Sequence, residues 1–490
     1  MADLPARLSR KVCSPLDAAA LIPDGALVAA SGYTGAGDPK ATLLALAARG
    51  KEQFPKGIAL LTAAQLSNQV ESALATAGVL ARRIPFTTSK AVSRLSNQQA
   101  IHYVEVPLAK LPRAVASGVF GRPDFAIIEA LGMTESGQVV LTSSVGITPL
   151  LCRLARHIII EINTAQPKEL FGLHDIYEAP LHTGLMLSRA DQRVGTLTMD
   201  IDMSKVSAVV FSDYQDEAPV SSQITDIDRC ICQHFQSFLH TWFPGNDLPP
   251  IQTGIGTLSQ AVIQSFTDSG YQDLTFFCGA LQPDMLTLLE QGTARALSGG
   301  SLPITPETKR QLSHLGTAAR EHLVLRSMEL CNGSAAIAGL GLLAINTGLE
   351  IDLFGNVNSS HVNGRSVVNG IGGGASFAEQ AAISVLLLPS VRKNGAISCI
   401  VPQIPHTDII HHYIDVVITE YGIADLRGKD DLECAWSIIQ HCAHPAYRDQ
   451  LSSLLRASTR EGGHHPLRLN AAFSWHQRFQ ETGSMLPAKP

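Results

Sequence analysis

The sequence predicts an α/β protein of two similarly built, open α/β domains with largely parallel sheets and a functional cleft between them. Three observations predict it. Short β-branched runs alternate with helical stretches and glycine punctuation almost throughout, the pattern of layered α/β folds. The two halves repeat one order of strand, turn and helix, as an internal duplication does. The 490 residues, 45% apolar and 16% charged, are too many for one ordinary domain and can bury more than one core.

Strands are expected at 26–30, 58–61, 125–129, 158–162, 208–211, 274–277, 351–354, 384–388 and 416–419. The first is followed by a glycine turn and a helix in LVAASGYTGAGDPKATLLALA at 27–47, and the same order recurs in PIQTGIGTLSQAVIQSF at 250–266. A second repeat starts at Asp124, where DFAIIEALGMTESGQVVLTSSVG runs from a strand with an acid through a loop and a second strand to a Thr-Ser-Ser-x-Gly turn. A helix and the strand HIIIEIN follow. The stretch from Leu349 to Gly374 keeps that order and continues through the helix SFAEQAA to the strand ISVLLLP. Between the halves lies HTWFPGNDLPP, with three prolines and a Gly-Asn pair, which marks a linker. The expected division is therefore 1–240, a linker at 241–250, and 251–490.

Composition narrows the function. A net charge of −6 without a Lys/Arg cluster argues against a nucleic-acid partner. The longest apolar runs are of strand length, which argues against a membrane span, and the N-terminus has no apolar core of a secretory signal. Nine cysteines without framework spacing suit free thiols in a reducing cytoplasm.

The richest segment is LEIDLFGNVNSSHVNGRSVVNGIGGGASF at 349–377. Its glycine run opens a helix, where outward amide N–H groups suit a phosphate, a carboxylate or a thioester oxygen; tight packing of a turn is the structural alternative. The run lacks the acid expected about 20 residues on in a dinucleotide fingerprint, so neither a nicotinamide nor a flavin is expected. The turn Gly254-Ile255-Gly256-Thr257-Leu258 opens another helix and suits a phosphate-bearing cofactor. Lys393 offers a cation after a strand. Glu420 ends a strand before a glycine turn and is a candidate base, or else the partner of Arg427. Seventeen histidines are present, but neither HExxH nor a Cys/His knuckle is, so no metal is expected.

GNVNSSHVNG, NGIGGGASF, TEYGIADLRG, CAHPAYRDQL and ETGSML, with SGYTGAGDPK and LTSSVG in the first half, resemble the acetyl-CoA hydrolase/transferase family over nearly the whole chain. The resemblance implies a duplicated CoA-transferase α/β fold, usually a homodimer, with coenzyme A or acyl-CoA as substrate between the domains. It implies a glutamate that attacks the thioester and stores CoA as a glutamyl thioester. By motif, Gly254 to Leu258 would contact CoA, Lys393 its phosphates, and Asn332 the reacting thioester. Asn369, Gly372 and Gly373 would surround that thioester, a main-chain N–H would polarise its oxygen, and Glu420 would be a supporting carboxylate.

Two departures from the family pattern follow. Where the family carries its nucleophile, after a strand, this chain reads Phe277-Cys278-Gly279-Ala280-Leu281-Gln282, with Gly279 at the glutamate position. Leu281-Gln282 and Leu288-Leu289-Glu290-x-Gly292 fix the register. Gly374-Ala375-Ser376-Phe377 also replaces the usual Ser-Gly-Asp-Phe. A glycine cannot attack a thioester, and the lost carboxylate leaves room for a substrate atom or a water. Three readings remain: direct transfer of the acyl group to an acceptor or water, with Glu420 or a histidine as base; CoA transfer through a displaced nucleophile, Cys278 or Asp284 being nearest; or a catalytically silent acyl-CoA-binding subunit. Glu329, nearer Asn332, matches an acidic family position other than the nucleophile.

Overall fold

The computed structural model describes residues 4–51, 56–180, 184–218 and 222–487. The first sheet runs in the order His102–Tyr103, Leu80–Ile84, Ile58–Leu61, Leu27–Ala30, Phe125–Met133, His157–Asn163, Val206–Ser212. All these neighbours are parallel, and Val139–Leu141 pairs antiparallel with Phe125–Met133. Every residue of the central strand Phe125–Met133 is buried, as befits a parallel sheet covered on both faces. Helices Pro15–Ala20, Lys40–Lys51 and Asn68–Thr76 supply part of that cover, through Ala18, Leu43, Leu46, Val70 and Leu74.

The chain divides into two compact units. One is Met1–Pro219 with Gln272–Leu340 and Asn369–Ser376; the other is Val220–Tyr271 with Gly341–Val368 and Phe377–Pro490. The sequence predicts one crossing at 241–250; the units interleave along the chain instead. Two features account for the difference. Strand Leu323–Arg326 pairs in parallel with His174–Asp175, tying 272–340 to the first unit. The helix Asp226–Trp242, opened by a capping box of Thr225 and Asp228, runs into the expected linker and buries Phe235, Phe238 and Leu239 in the second unit.

Within the first unit, Leu274–Phe277, Ala294–Gly299 and Leu323–Arg326 form a parallel ladder. Within the second, Ile251–Thr253, Leu343–Thr347, Ile383–Leu387 and Val416–Thr419 form another. Each ladder repeats the strand order of the corresponding run in the first sheet, which is the duplication the sequence pattern predicts. The repeat is imperfect at Gly348, where the strand matching Phe125–Met133 breaks. Glu350–Asp352 instead joins Val357–Asn358 and Ile400–Val401 in a separate small sheet. Among the described residues no helix is long and apolar enough to cross a membrane.

Candidate functional site

The motif SGYTGAGDPK leaves the strand Leu27–Ala30 as a tight turn. Tyr33 N–H donates to Ala36 O at 3.0 Å and Ala36 N–H to Tyr33 O at 3.3 Å, with Thr34 and Gly35 between them at φ +54° and +78°. Consecutive positive φ values mark a type I′ turn. Gly35 N–H donates to Gln65 O at 3.1 Å, and the Thr34 hydroxyl lies 2.9 Å from that of Ser301. A buried charge network holds the end of the loop. Lys40 Nζ is 2.8 Å from Asp38 and 3.0 Å from Asp216, every side chain being fully buried. The Asp216 carboxylate also accepts the Ser143 hydroxyl at 2.6 Å and the Ile304 N–H at 3.0 Å. Such pairing offsets the cost of buried charge and pins residues far apart in sequence to one loop.

That loop carries Tyr33 to Gly279. The strand Leu274–Phe277 ends just before Cys278 and Gly279, and Pro283 begins the next helix. Space, rather than a positive φ, is what holds position 279 to glycine: a Cβ there would lie 2.9 Å from the Tyr33 hydroxyl oxygen and 3.3 Å from Asn332 Nδ2. At Gly146, whose φ is +52°, a Cβ would stand 2.7 Å from that of Ala63 and 3.7 Å from the Tyr33 ring. The Tyr33 hydroxyl donates to Asn332 Oδ1 at 2.8 Å, and the Cys331 thiol donates to the same oxygen at 3.3 Å. Tyr33 is 1% and Asn332 0% exposed. Burial, reinforced by the nearby Cys331 and Cys278 thiols, pushes the Tyr33 phenol well above its usual range, so it stays protonated and donates. Asn332 Nδ2 is buried without a hydrogen-bond partner, a state that costs free energy until an acceptor arrives.

The first unit therefore brings Gly279 and Asn332 together. It also holds Asn369, Gly372 and Gly373. The glycine run packs against Phe86 and Tyr103: a Cβ at Gly370 would overlap the Phe86 ring and stand 2.7 Å from the Tyr103 hydroxyl. Ile371 N–H donates to Glu105 at 2.5 Å, Gly372 has φ +60°, and its carbonyl accepts the Leu108 N–H at 3.1 Å. Asn369 Oδ1 is buried without a partner, while residues 371–375 are half-buried.

The remaining candidates belong to the second unit. Gly254, Ile255 and Gly256 form the turn before the helix Thr257–Ser265, with Gly256 at φ +129° and Leu258 in the first helical turn. The Thr257 hydroxyl accepts the Ser222 N–H at 2.9 Å. Lys393 is exposed at φ +49°, its ammonium 5.1 Å from the centre of the Phe479 ring. Glu420 is half-buried and accepts the Ser390 N–H at 2.9 Å and hydroxyl at 2.5 Å. The alternative pairing of Glu420 with Arg427 does not form. Arg427 instead donates to Asp425 at 2.7 Å and stacks over Trp242 at 3.8 Å, because the hairpin of Val416–Thr419 and Gly422–Asp425 sets Glu420 in its turn.

The Tyr33 hydroxyl oxygen, 2.9 Å from where a Cβ on residue 279 would be, bounds the space next to Gly279. Of the candidate substitute nucleophiles, Cys278 is 0% exposed and Asp284 sits half-buried in the first turn of Pro283–Glu290. Burial pushes Glu329 up to about 8, leaving it largely protonated at neutral pH. Two of the candidate histidines pair with acids, His406 3.0 Å from Asp408 and His465 2.7 Å from Asp431, while the His406 ring also lies against His361 and the His411 ring against His412. Among the described residues no group of three or more His, Cys, Asp or Glu is arranged to hold a metal ion. Tyr33 itself is the residue that sequence reasoning passes over. Its only signal is its place in SGYTGAGDPK, and its partner lies 299 positions away.

Two family models match the chain: the acetyl-CoA hydrolase/transferase N-terminal domain over residues 3–194 and the C-terminal domain over residues 311–454. The chain is 34% identical to a succinyl-CoA:acetate CoA-transferase of Clostridium kluyveri, over 98% of this chain and 91% of that one. It is 36% identical to a propanoyl-CoA:succinate CoA transferase of Escherichia coli, over 96% and 98%. It is 33% identical to an acetyl-CoA hydrolase of Schizosaccharomyces pombe, over 98% and 97%. Among solved structures, RipA from Yersinia pestis superposes with a TM-score of 0.74 at 19% identity, over 94% of this chain and 100% of that one. This last likeness concerns the fold alone.

Proposed function

The chain belongs to the acetyl-CoA hydrolase/transferase family, and we propose that it moves the acyl group of an acyl-CoA thioester directly onto an acceptor or water, without a glutamyl-CoA intermediate. The coarse part rests on its relatives, which are CoA-transferases and acetyl-CoA hydrolases: the chain is a transferase of acyl-CoA thioesters, with hydrolysis within the same chemistry. The finer part rests on one observation. Gly279 carries no nucleophile, a tyrosine hydroxyl stands 2.9 Å from where its Cβ would be, and the group facing it is an unpartnered buried amide, Asn332 Nδ2.

In this reading Gly254 to Leu258 hold coenzyme A, Lys393 meets its phosphates, and Asn332 with the Gly372 and Gly373 amides polarises the thioester carbonyl. Asn369 lines the same place. The acceptor's heteroatom attacks the carbonyl carbon, the carbon–sulfur bond breaks, and the CoA thiolate leaves. Glu420 takes the acceptor's proton, which finally reaches the thiol. The Ser390 N–H and hydroxyl, both donating to Glu420, hold its carboxylate in place. The working form in this reading is a cytoplasmic homodimer using small-molecule substrates.

The test is intact-protein mass after incubation with acyl-CoA, with and without borohydride, alongside thiol release. Direct transfer is expected to release thiol with no mass added to the enzyme. A carboxylate-linked CoA thioester, or the alcohol borohydride makes from it, would establish a displaced nucleophile instead. Binding without thiol release for any acceptor, water included, would establish a silent subunit.

A further inference from the structure

The Asn332 carboxamide can present either end to the site, and two donors decide which. The Tyr33 hydroxyl, at 2.8 Å, and the Cys331 thiol, at 3.3 Å, converge on one atom. With the amide reversed, the Tyr33 hydroxyl would have to accept from Nδ2 instead of donating, and the Cys331 thiol would lose its acceptor. Oδ1 is therefore turned to Tyr33 and Nδ2 to Gly279, where it has no partner. The same hydroxyl stands 2.9 Å from where a Cβ on residue 279 would be. Tyr33 has little freedom to swing aside, because it is 1% exposed and its backbone is locked in the turn with Ala36.

We propose that Tyr33 is a positioning residue that fixes the Asn332 amide as a donor, so that the place beside Gly279 receives an oxygen acceptor of the substrate, a thioester carbonyl or carboxylate oxygen. It also makes glycine the residue that position 279 accommodates. The identity of that oxygen rests on the acyl-CoA reading above; the orientation of the amide does not.

Tyr33→Phe removes one atom and keeps the ring. We expect it to lower kcat for thioester cleavage about tenfold or more, the scale of a lost oriented donor, while KM for acyl-CoA stays within about twofold. A steric readout accompanies the kinetics. Gly279→Ala is expected to lower the thermal midpoint when Tyr33 is present and to be tolerated in Tyr33→Phe. A Tyr33→Phe enzyme with kcat within about twofold of wild type would overturn the positioning role. So would a Gly279→Ala penalty equal in both backgrounds, since the hydroxyl would then not stand against position 279. If Tyr33→Phe fails to fold, Cys331→Ala, which removes the other donor to Oδ1, is expected to give the same split between kcat and KM. An enzyme-bound CoA adduct in the wild type would sink direct transfer and leave the Tyr33 effect standing, so the two failures are distinguishable.

Discussion

Glu329 lies in the first turn of the helix Met328–Cys331, with carboxyl oxygen Oε2 buried and unpartnered. Burial raises its pKa from 4.5 to about 8. The sign of the consequence is definite. Between those values the folded chain keeps a proton that the unfolded chain releases, so stability falls as pH rises through that window. A tenfold difference in proton affinity between the two states is worth about 1.4 kcal/mol. Wild type is therefore expected to lose a few kcal/mol between about pH 5 and pH 8 from this residue, and Glu329→Gln to remove that part of the slope, as read from thermal midpoints across pH. Asn332, three residues on, is the opposite kind of buried group. Its unpaired amide is poised for a ligand, and whether it faces Gly279 as donor or acceptor depends on Tyr33.

At the scale of elements, loops held by buried partners carry the candidate chemistry. The helix Lys40–Lys51 begins against the buried Glu161, which accepts the N–H groups of Ala41 and Thr42, each at 2.9 Å. A carboxylate there satisfies orphan amides and complements the helix dipole, so the loop before it is anchored at both ends. The glycine run is held differently, by close approach. Gly370→Ala would drive a methyl into the Phe86 ring, and overpacking of that kind costs about 1–3 kcal/mol. A lowered thermal midpoint and weakened acyl-CoA binding by calorimetry are expected together. A fully stable variant would show that the run yields more readily than its packing indicates.

At the scale of the molecule, interleaving matters more than halves. A cut in 241–250 leaves the first unit without Gln272–Leu340, the segment that pairs with His174–Asp175 and carries Gly279 and Asn332. The fragment 1–240 is therefore expected to lack cooperative unfolding by circular dichroism, where the full chain shows it. A sharp transition for that fragment would establish the linker as a true domain boundary.

The strands at 58–61, 274–277 and 416–419 were legible to the residue in the sequence, because short β-branched runs between glycine turns have few other places to go. The duplication and the family were legible for the same reason: pattern and motif are local and ordered along the chain. Gly279 and the glycine run were visible too, but not what surrounds them. That the Tyr33 hydroxyl stands against Gly279, that Arg427 turns to Asp425 rather than Glu420, and that 272–340 folds with the first unit were decided only by tertiary structure. Each depends on contacts between residues whose spacing in sequence carries no periodic signal, or on a choice among several partners within reach along the chain. The packing of the fold, and not the local pattern, makes those choices.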